Sequence, residues 1–173
     1  MPEITQLSAA DLLRAADALA ELLLDVVDGG DSLGFLSPLT HAEARAWWTS
    51  RADALEVGHA LLWAAHTGGQ LTGTVTLLPA PMPNGRHRAD VAKLMVHRAA
   101  RGRGVARALL DAAERAAADA GLTLLVLDTQ SDTAAVDFYR ATGWTEAGTI
   151  PGYATDTTGT PRPTTYFYKQ LAA

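Results

Sequence analysis

Residues 91–110 read VAKLMVHRAARGRGVARALL. An apolar run of strand character passes through His97–Ala100 into Arg101-Gly102-Arg103-Gly104, and then into residues whose apolar positions recur at helical spacing. Glycine at such a turn lets backbone N–H groups face a ligand with no Cβ in the way. The helix start behind it adds unsatisfied amides and the positive end of a dipole. Arg101, Arg103 and Arg107 supply planar forked donors suited to phosphate oxygens. The stretch reads as a cradle for a diphosphate; the alternative is a solvated helix start whose arginines stay wet. Two other phosphate loops do not fit. A Walker loop needs Gly-Lys-Ser/Thr, and a dinucleotide fingerprint beginning at Gly102 needs glycine where Arg107 stands.

Outward from this turn, a strand is expected over Asp90–Val96 and a helix from about Gly104 to Ala120. A strand over Leu122–Leu127, a helix over Thr133–Thr142 and a strand over Trp144–Ile150 follow, and TTYFYKQL (164–171) reads as a last strand. Strand, helix, strand in succession implies a right-handed parallel crossover. Upstream, EITQL (3–7) is a short strand, and Leu12, Leu13, Ala16, Leu19, Leu23 and Val27 form one helical stripe that stops at Gly29-Gly30. GGDSLGFLSPL (29–39) is a loop. Thr40 and Glu43 have capping-box spacing and open a helix to about Leu55. HALLWAAH and LTGTVTLL flank TGGQ as a hairpin, and PAPMPNGRHR (79–88) is a proline-rich loop. The expected fold is α/β, a mixed sheet of about six to seven strands flanked by about four helices, in one domain over residues 1–173.

Hydrophobic residues make up 48% of the 173, ample for a sizeable core. A formal net charge of -5 lacks the broad basic face that nucleic acid or an anionic membrane requires. With no cysteine there is no disulfide, thiolate metal site or cysteine nucleophile. His41, His59, His66, His87 and His97 show no ligand spacing, so no metal is expected. Glu3 and Asp11 interrupt any signal-like start, and no uncharged apolar run approaches the ~20 residues of a membrane span. A cytoplasmic protein, monomer or homodimer, is the expectation.

RGRGVA (101–106) resembles the Arg/Gln-x-x-Gly-x-Gly/Ala signature of the GCN5-related N-acetyltransferases (GNAT). VAKLMV before it resembles their fourth strand, and AAVDFYRATGW (134–144) their fourth helix with its tyrosine. Across most of the chain, GGDSLGF, PNGRHRADVAKLMV, LDT and IPGYA are similar to segments of tabtoxin-resistance acetyltransferases, which act on a small β-lactam amino-acid toxin. The resemblance implies acetyl-CoA as co-substrate, its pantetheine arm between two splayed central parallel strands. It also implies a small-molecule amine acceptor, the tabtoxin-resistance segments pointing to a toxin or antibiotic; a peptide acceptor and a non-catalytic acetyl-CoA-binding module are the alternatives.

By this resemblance Leu94, Met95, Val96, Arg101, Gly102, Arg103, Gly104, Val105, Ala106, Arg107, Ala135 and Phe138 bind the co-substrate, and Tyr139 protonates the departing thiolate. The backbone N–H of Met95 or Leu94 serves the oxyanion. Asp90 and Asp128 are the candidate bases, Asp90 being favoured as base and Asp128 as anchor for the acceptor's ammonium. Six residue steps at roughly 3.3 Å put Asp90 about 20 Å from Val96, comparable with an extended pantetheine arm. The relatives carry a longer glutamate at the Asp90 position, which makes a water relay plausible here. They also often open the tyrosine-bearing helix with asparagine, where Ser131 and Asp132 stand as caps. Asp31, Ser32 and Phe35, on the glycine-containing loop, are the candidate acceptor-binding residues. Lys93 is unusual within a central strand and is expected to pair with a carboxylate.

Overall fold

The computed structural model describes residues 1–31 and 33–172. Its centre is one sheet with strands β1 (Glu3–Leu7), β2 (Leu61–Thr67), β3 (Gln70–Pro79), β4 (Arg88–Val96), β5 (Leu124–Gln130), β6 (Thr145–Thr155) and β7 (Pro161–Gln170). Their spatial order is β1-β2-β3-β4-β5-β7-β6. All neighbours are antiparallel except β4 and β5. That parallel pair is joined through helix α5 (Val105–Asp119), the crossover expected from the order of elements.

Helices α1 (Ala9–Arg14), α2 (Ala16–Asp28), α3 (His41–Thr49) and α4 (Ala52–Glu56) cover one face, burying Leu12, Leu19, Leu23 and Trp48 against Leu62 and Met95 of the sheet. α5 and α6 (Ala134–Ala141) cover the other, with Val105, Leu109, Leu110 and Tyr139 packed on Val75, Leu77, Leu125, Leu127 and Phe167. Ser8–Asp11 and Thr40–Glu43 both close capping boxes. The single stripe expected over residues 12–27 is two helices. Ala15 breaks it at φ -90°, ψ 5°, yet its N–H still bonds Asp11 O and its carbonyl still accepts from Leu19. A one-residue kink that keeps these bonds leaves the apolar period intact, so periodicity could not show it. The helix expected from Thr40 to Leu55 is likewise interrupted at Ser50–Arg51.

The β4–β5 ladder is short. Arg88, Ala89 and Asp90 pair with Leu124, Leu125 and Val126, and there the pairing stops although β4 runs on to Val96 and β5 to Gln130. Meanwhile β5 stays paired with β7 from Leu124 to Gln130. The two strands diverge into a gap. β5 also extends past its expected end, so Asp128 lies within the strand and not after it.

Gly73 sets how closely α5 approaches β3. A Cβ there would come within 2.9 Å of both Leu109 Cδ1 and the Met95 carbonyl oxygen, and 3.2 Å from Val105 Cγ1. The carbonyl cannot rotate away, so a methyl must lift the first turns of α5. Gly73→Ala should destabilise by about 1–3 kcal/mol. Thermal melting should show a Tm lowered by several degrees, and an unchanged Tm would mean that α5 is not seated this tightly.

Candidate active site

One end of the gap is the glycine turn. Gly102 and Gly104 both have positive φ, 73° and 78°, and a Cβ on either would meet nothing within 4 Å. Gly104 is the N-cap of α5 and provides no side-chain cap, so the first-turn amides have no side-chain acceptor. Arg101, Arg103 and Arg107 are exposed around them. A bound diphosphate would find open backbone amides, guanidinium groups and a helix dipole converging here. The Val105 side chain itself is buried in the core beneath β3, so what it offers a ligand is its amide.

The end of α2 and the loop after it are fastened to this turn. Arg101 Nη2 donates to Asp31 at 2.7 Å and its Nε to the Val96 carbonyl at 3.1 Å. Asp25, in the last turn of α2, accepts from the Arg98 amide at 2.8 Å and from Arg98 Nε at 2.9 Å, with His97 Nε2 at 3.6 Å. Its carboxylate is 14% exposed, covered locally by those two side chains and not set deep in the core. Burial pushes its pKa up, but the Arg98 hydrogen bonds and the His97 and Arg98 charges outweigh that and hold it below the ordinary carboxylate value. Asp31, expected on the acceptor side, is engaged by Arg101 of the glycine turn. Ser32 lies outside the described residues.

At the other end of the gap, register decides which groups meet. Asp90 pairs with Val126, Asp128 lies two residues further on the same face, and Tyr166 is opposite Asp128. Asp90 is exposed, with Arg88 Nη1 at 3.7 Å. Asp128 is open to water at the mouth but hemmed in by the sheet. Burial raises its pKa, Lys93 partly offsets this, and Asp90 adds to it. Tyr166 donates to Tyr153 at 2.7 Å, and that bond above all pushes its hydroxyl up to about 12. Neither tyrosine was singled out from sequence, although Tyr166 stands in the aromatic run TTYFYKQL and Tyr153 in IPGYA.

Tyr139 lies on the opposite face, 7% exposed, with ring centroids of Phe138, Trp144 and Phe167 at 5.3, 5.9 and 5.7 Å. Burial pushes its hydroxyl well above the ordinary value, and the Asp128 charge raises it further. The carboxylate on one face therefore acts on the phenol on the other. Ala135 and Phe138 are half-buried on the same helix. That helix has Thr133 as N-cap without a side-chain bond, so neither Ser131 nor Asp132 caps it. Ser131 bonds Thr165 instead, and Asp132 accepts from Gln130.

Lys93 departs most from expectation. It has φ 51° and sits where the β3–β4 register shifts between Thr74 and Thr76. No ion pair holds it among the described residues. Its Nζ donates to the Leu33 carbonyl at 2.6 Å and stands 5.5 and 5.3 Å from the ring centroids of Phe35 and Trp47. The expected pairing with a carboxylate is replaced by a carbonyl and two aromatic faces. Phe35 thereby reaches the cleft, edge-on to Trp47 at 5.2 Å. Trp48 and Trp63 are core.

The acetyltransferase (GNAT) family profile matches residues 31–144. The chain belongs to that family. It is 35% identical over 92 residues to rat N-acetyltransferase family 8 member 2, covering 52% of this chain and 41% of that protein. Rat N-acetyltransferase 8 is 38% identical over 88 residues, covering 50% and 40%. The matched region thus spans about two fifths of these relatives' length. Among solved structures, an N-acetyltransferase from Staphylococcus aureus superposes with a TM-score of 0.80 at 20% identity over 99% of both chains. A Salmonella typhimurium structure with its cofactor acetyl-CoA superposes with a TM-score of 0.79 at 19% identity, covering 100% of this chain and 95% of the other. These establish the fold: a mixed seven-stranded GNAT sheet. No helix among the described residues is long and apolar enough to cross a membrane.

The Asp25 clamp has a defined pH signature. A carboxyl whose folded pKa is depressed contributes stability that is present above its unfolded pKa, about 4, and lost as pH falls through the folded value. Asp25→Asn should cost about 1–2 kcal/mol at neutral pH. The difference from the unsubstituted chain, followed by thermal melting, should shrink steadily below about pH 4. A difference that is constant with pH would show that the carboxylate's charge is not what holds the turn.

Proposed function

We propose that this chain is an acetyl-CoA-dependent N-acetyltransferase acting on the primary amine of a small molecule. The observation that carries the reading is the gap between β4 and β5, with an open glycine turn at one end and Asp90, Asp128 and Tyr139 around the other. The residues present fit the co-substrate: Arg101 to Arg107 offer amides and guanidinium groups to its phosphates. Leu94 to Val96 lie on the β4 segment beyond the ladder, where backbone groups facing β5 lack a strand partner and can hold an amide-bearing arm. Ala135 and Phe138 line the α6 side. When bound, acetyl-CoA supplies a thioester-activated acetyl group. The chain's own residues orient the two reactants, polarise the carbonyl through a β4 amide and move two protons.

The environments reverse the preference between the two carboxylates. A base that must take a proton from an ammonium group works best with a raised pKa. Asp128 has one, whereas Asp90 is exposed beside Arg88. We therefore assign the base to Asp128, directly or through a water, and to Asp90 a role in drawing the ammonium in. Tyr139 keeps its proton at neutral pH and is suited to deliver it to the departing thiolate. The similarity to tabtoxin-resistance acetyltransferases extends the acceptor to toxin or antibiotic amines.

Thiol release measured across a panel of small amines, β-lactam amino acids and peptides tests this reading, which predicts higher kcat/KM for small amines. Gly102→Asp should weaken acetyl-CoA binding in calorimetry at least tenfold, about 1.4 kcal/mol. Tyr139→Phe should lower kcat by ~10²–10⁴-fold with little change in acetyl-CoA affinity. With a weakly basic amine, whose own ionisation stays out of range, the rate should rise with pH through the elevated Asp128 pKa and then level off. Asp128→Asn should remove that limb. Wild-type affinity in a folded Gly102→Asp chain overturns the donor assignment, and a retained limb in Asp128→Asn overturns the base.

A further inference from the structure

Lys93 is held in a left-handed conformation at a bulge of the central strand, a backbone state that is strained for a residue bearing a side chain. That strain carries its ammonium group out of the strand to the rings of Phe35 and Trp47. A second cation lies against the same indole, Arg51 Cζ being 5.4 Å from the Trp47 centroid. The two positive groups act on one another: burial lowers the Lys93 pKa, Asp128 opposes that, and Arg51 reinforces it. Two cations on one tryptophan, with no carboxylate in ion-pair contact with Lys93 among the described residues, are an unusual arrangement in an acidic chain. Asp128 lies near enough to Lys93 for their charges to act on one another, and Asp90 stands two residues back along the same face of the β4–β5 pair. The acceptor side therefore has a negative wall on β4–β5 and a positive wall built on Lys93, Phe35, Trp47 and Arg51.

From this juxtaposition we infer that Lys93, seconded by Arg51, is a specificity-determining residue that rejects acceptors with a second positive charge and favours amines bearing a negative group at their other end. The inference rests on the acetyltransferase reading of the same cleft and adds the acceptor's charge class to it. An acceptor's ammonium group is drawn to Asp128 and Asp90, so the rest of a short acceptor extends toward the positive wall. One Lys93 N–H is engaged by Leu33, and the selection acts through the field of a partly desolvated charge, which is stronger than that of a solvated one. A diamine or a lysine-rich tail meets repulsion there, and a carboxylate-bearing amine meets attraction. Phe35 and Trp47 keep the ammonium group in place without neutralising it.

The test uses three acceptors of equal chain length, γ-aminobutyrate, butylamine and putrescine, which differ in the charge at the far end. In the unsubstituted chain kcat/KM should fall in that order. Lys93→Met should lower the ratio of γ-aminobutyrate to putrescine at least tenfold. Lys93→Arg should keep the ratio, and Arg51→Gln, an exposed substitution that leaves the Leu33 bond in place, should lower it by a smaller factor. Raising the salt concentration should compress the ratio in the unsubstituted chain. Acetyl-CoA affinity and Tm identify variants that remain folded. An unchanged ratio in both the Lys93→Met and Arg51→Gln chains, or putrescine as the best of the three, overturns the inference. Should none of the three amines be acetylated, the acetyltransferase reading fails separately. Ranking the same compounds by equilibrium binding then still decides the charge preference, with γ-aminobutyrate tightest as the expected result and putrescine tightest as the overturning one.

Discussion

A three-residue parallel ladder governs this molecule. β4 and β5 pair only from Arg88 to Asp90, and beyond that point they diverge although both strands run on. Unpaired backbone edges inside a sheet are costly unless water or another partner satisfies them. Two features hold the gap open. β5 is paired along its whole length with β7 and cannot follow β4. β4 is turned by the bulge at Lys93, whose backbone adopts a state that a regular strand would not allow. The gap is thus a property of the whole sheet and not of the loops around it.

The two halves of the site are mechanically joined. Asp25 grips the turn that precedes the glycines, and Asp31 holds Arg101, the first arginine of the cradle. The loop that follows α2 is fastened again by Lys93 at Leu33 and by the Ser37 amide, which donates to Thr157 O at 2.8 Å. A chain of net charge -5 sustains an arginine-rich turn in part because its own carboxylates, Asp25, Asp31 and Asp111, pair with Arg98, Arg101 and Arg107.

Much of this architecture was legible in the sequence. The crossover, the hairpin, the glycine turn and the Thr40–Glu43 capping box each stand where they were expected, whereas the Ser8–Asp11 box emerged only in the structure. The features that were not legible depend on tertiary placement. Asp25 and Asp31 are ordinary acidic residues until α2 comes to lie beside Arg98 and Arg101. Lys93 was visible as an anomaly, but its partners, a carbonyl and two rings, come from a loop and a helix some fifty to sixty positions earlier in the chain. Strand register alone brings Tyr166 opposite Asp128, and what separates Asp90 from Asp128 is their surroundings, Arg88 beside the one and the sheet with Lys93 around the other, which a linear pattern does not encode.

The same burial ties together the two protonic groups. Asp128 and Tyr139 lie on opposite faces at the mouth of the gap, and both have pKa values raised first by desolvation. For the carboxylate this favours accepting a proton; for the phenol it favours keeping one. The coupling between them has a direction. The Asp128 charge is part of what raises Tyr139, so when Asp128 takes up a proton that contribution vanishes and the phenol becomes a better donor. Lys93, which partly offsets the desolvation of Asp128, enters the same set of interactions. A charge on one face of the sheet is thus felt by a phenol on the other, so the proton affinities of the two groups are linked through the sheet.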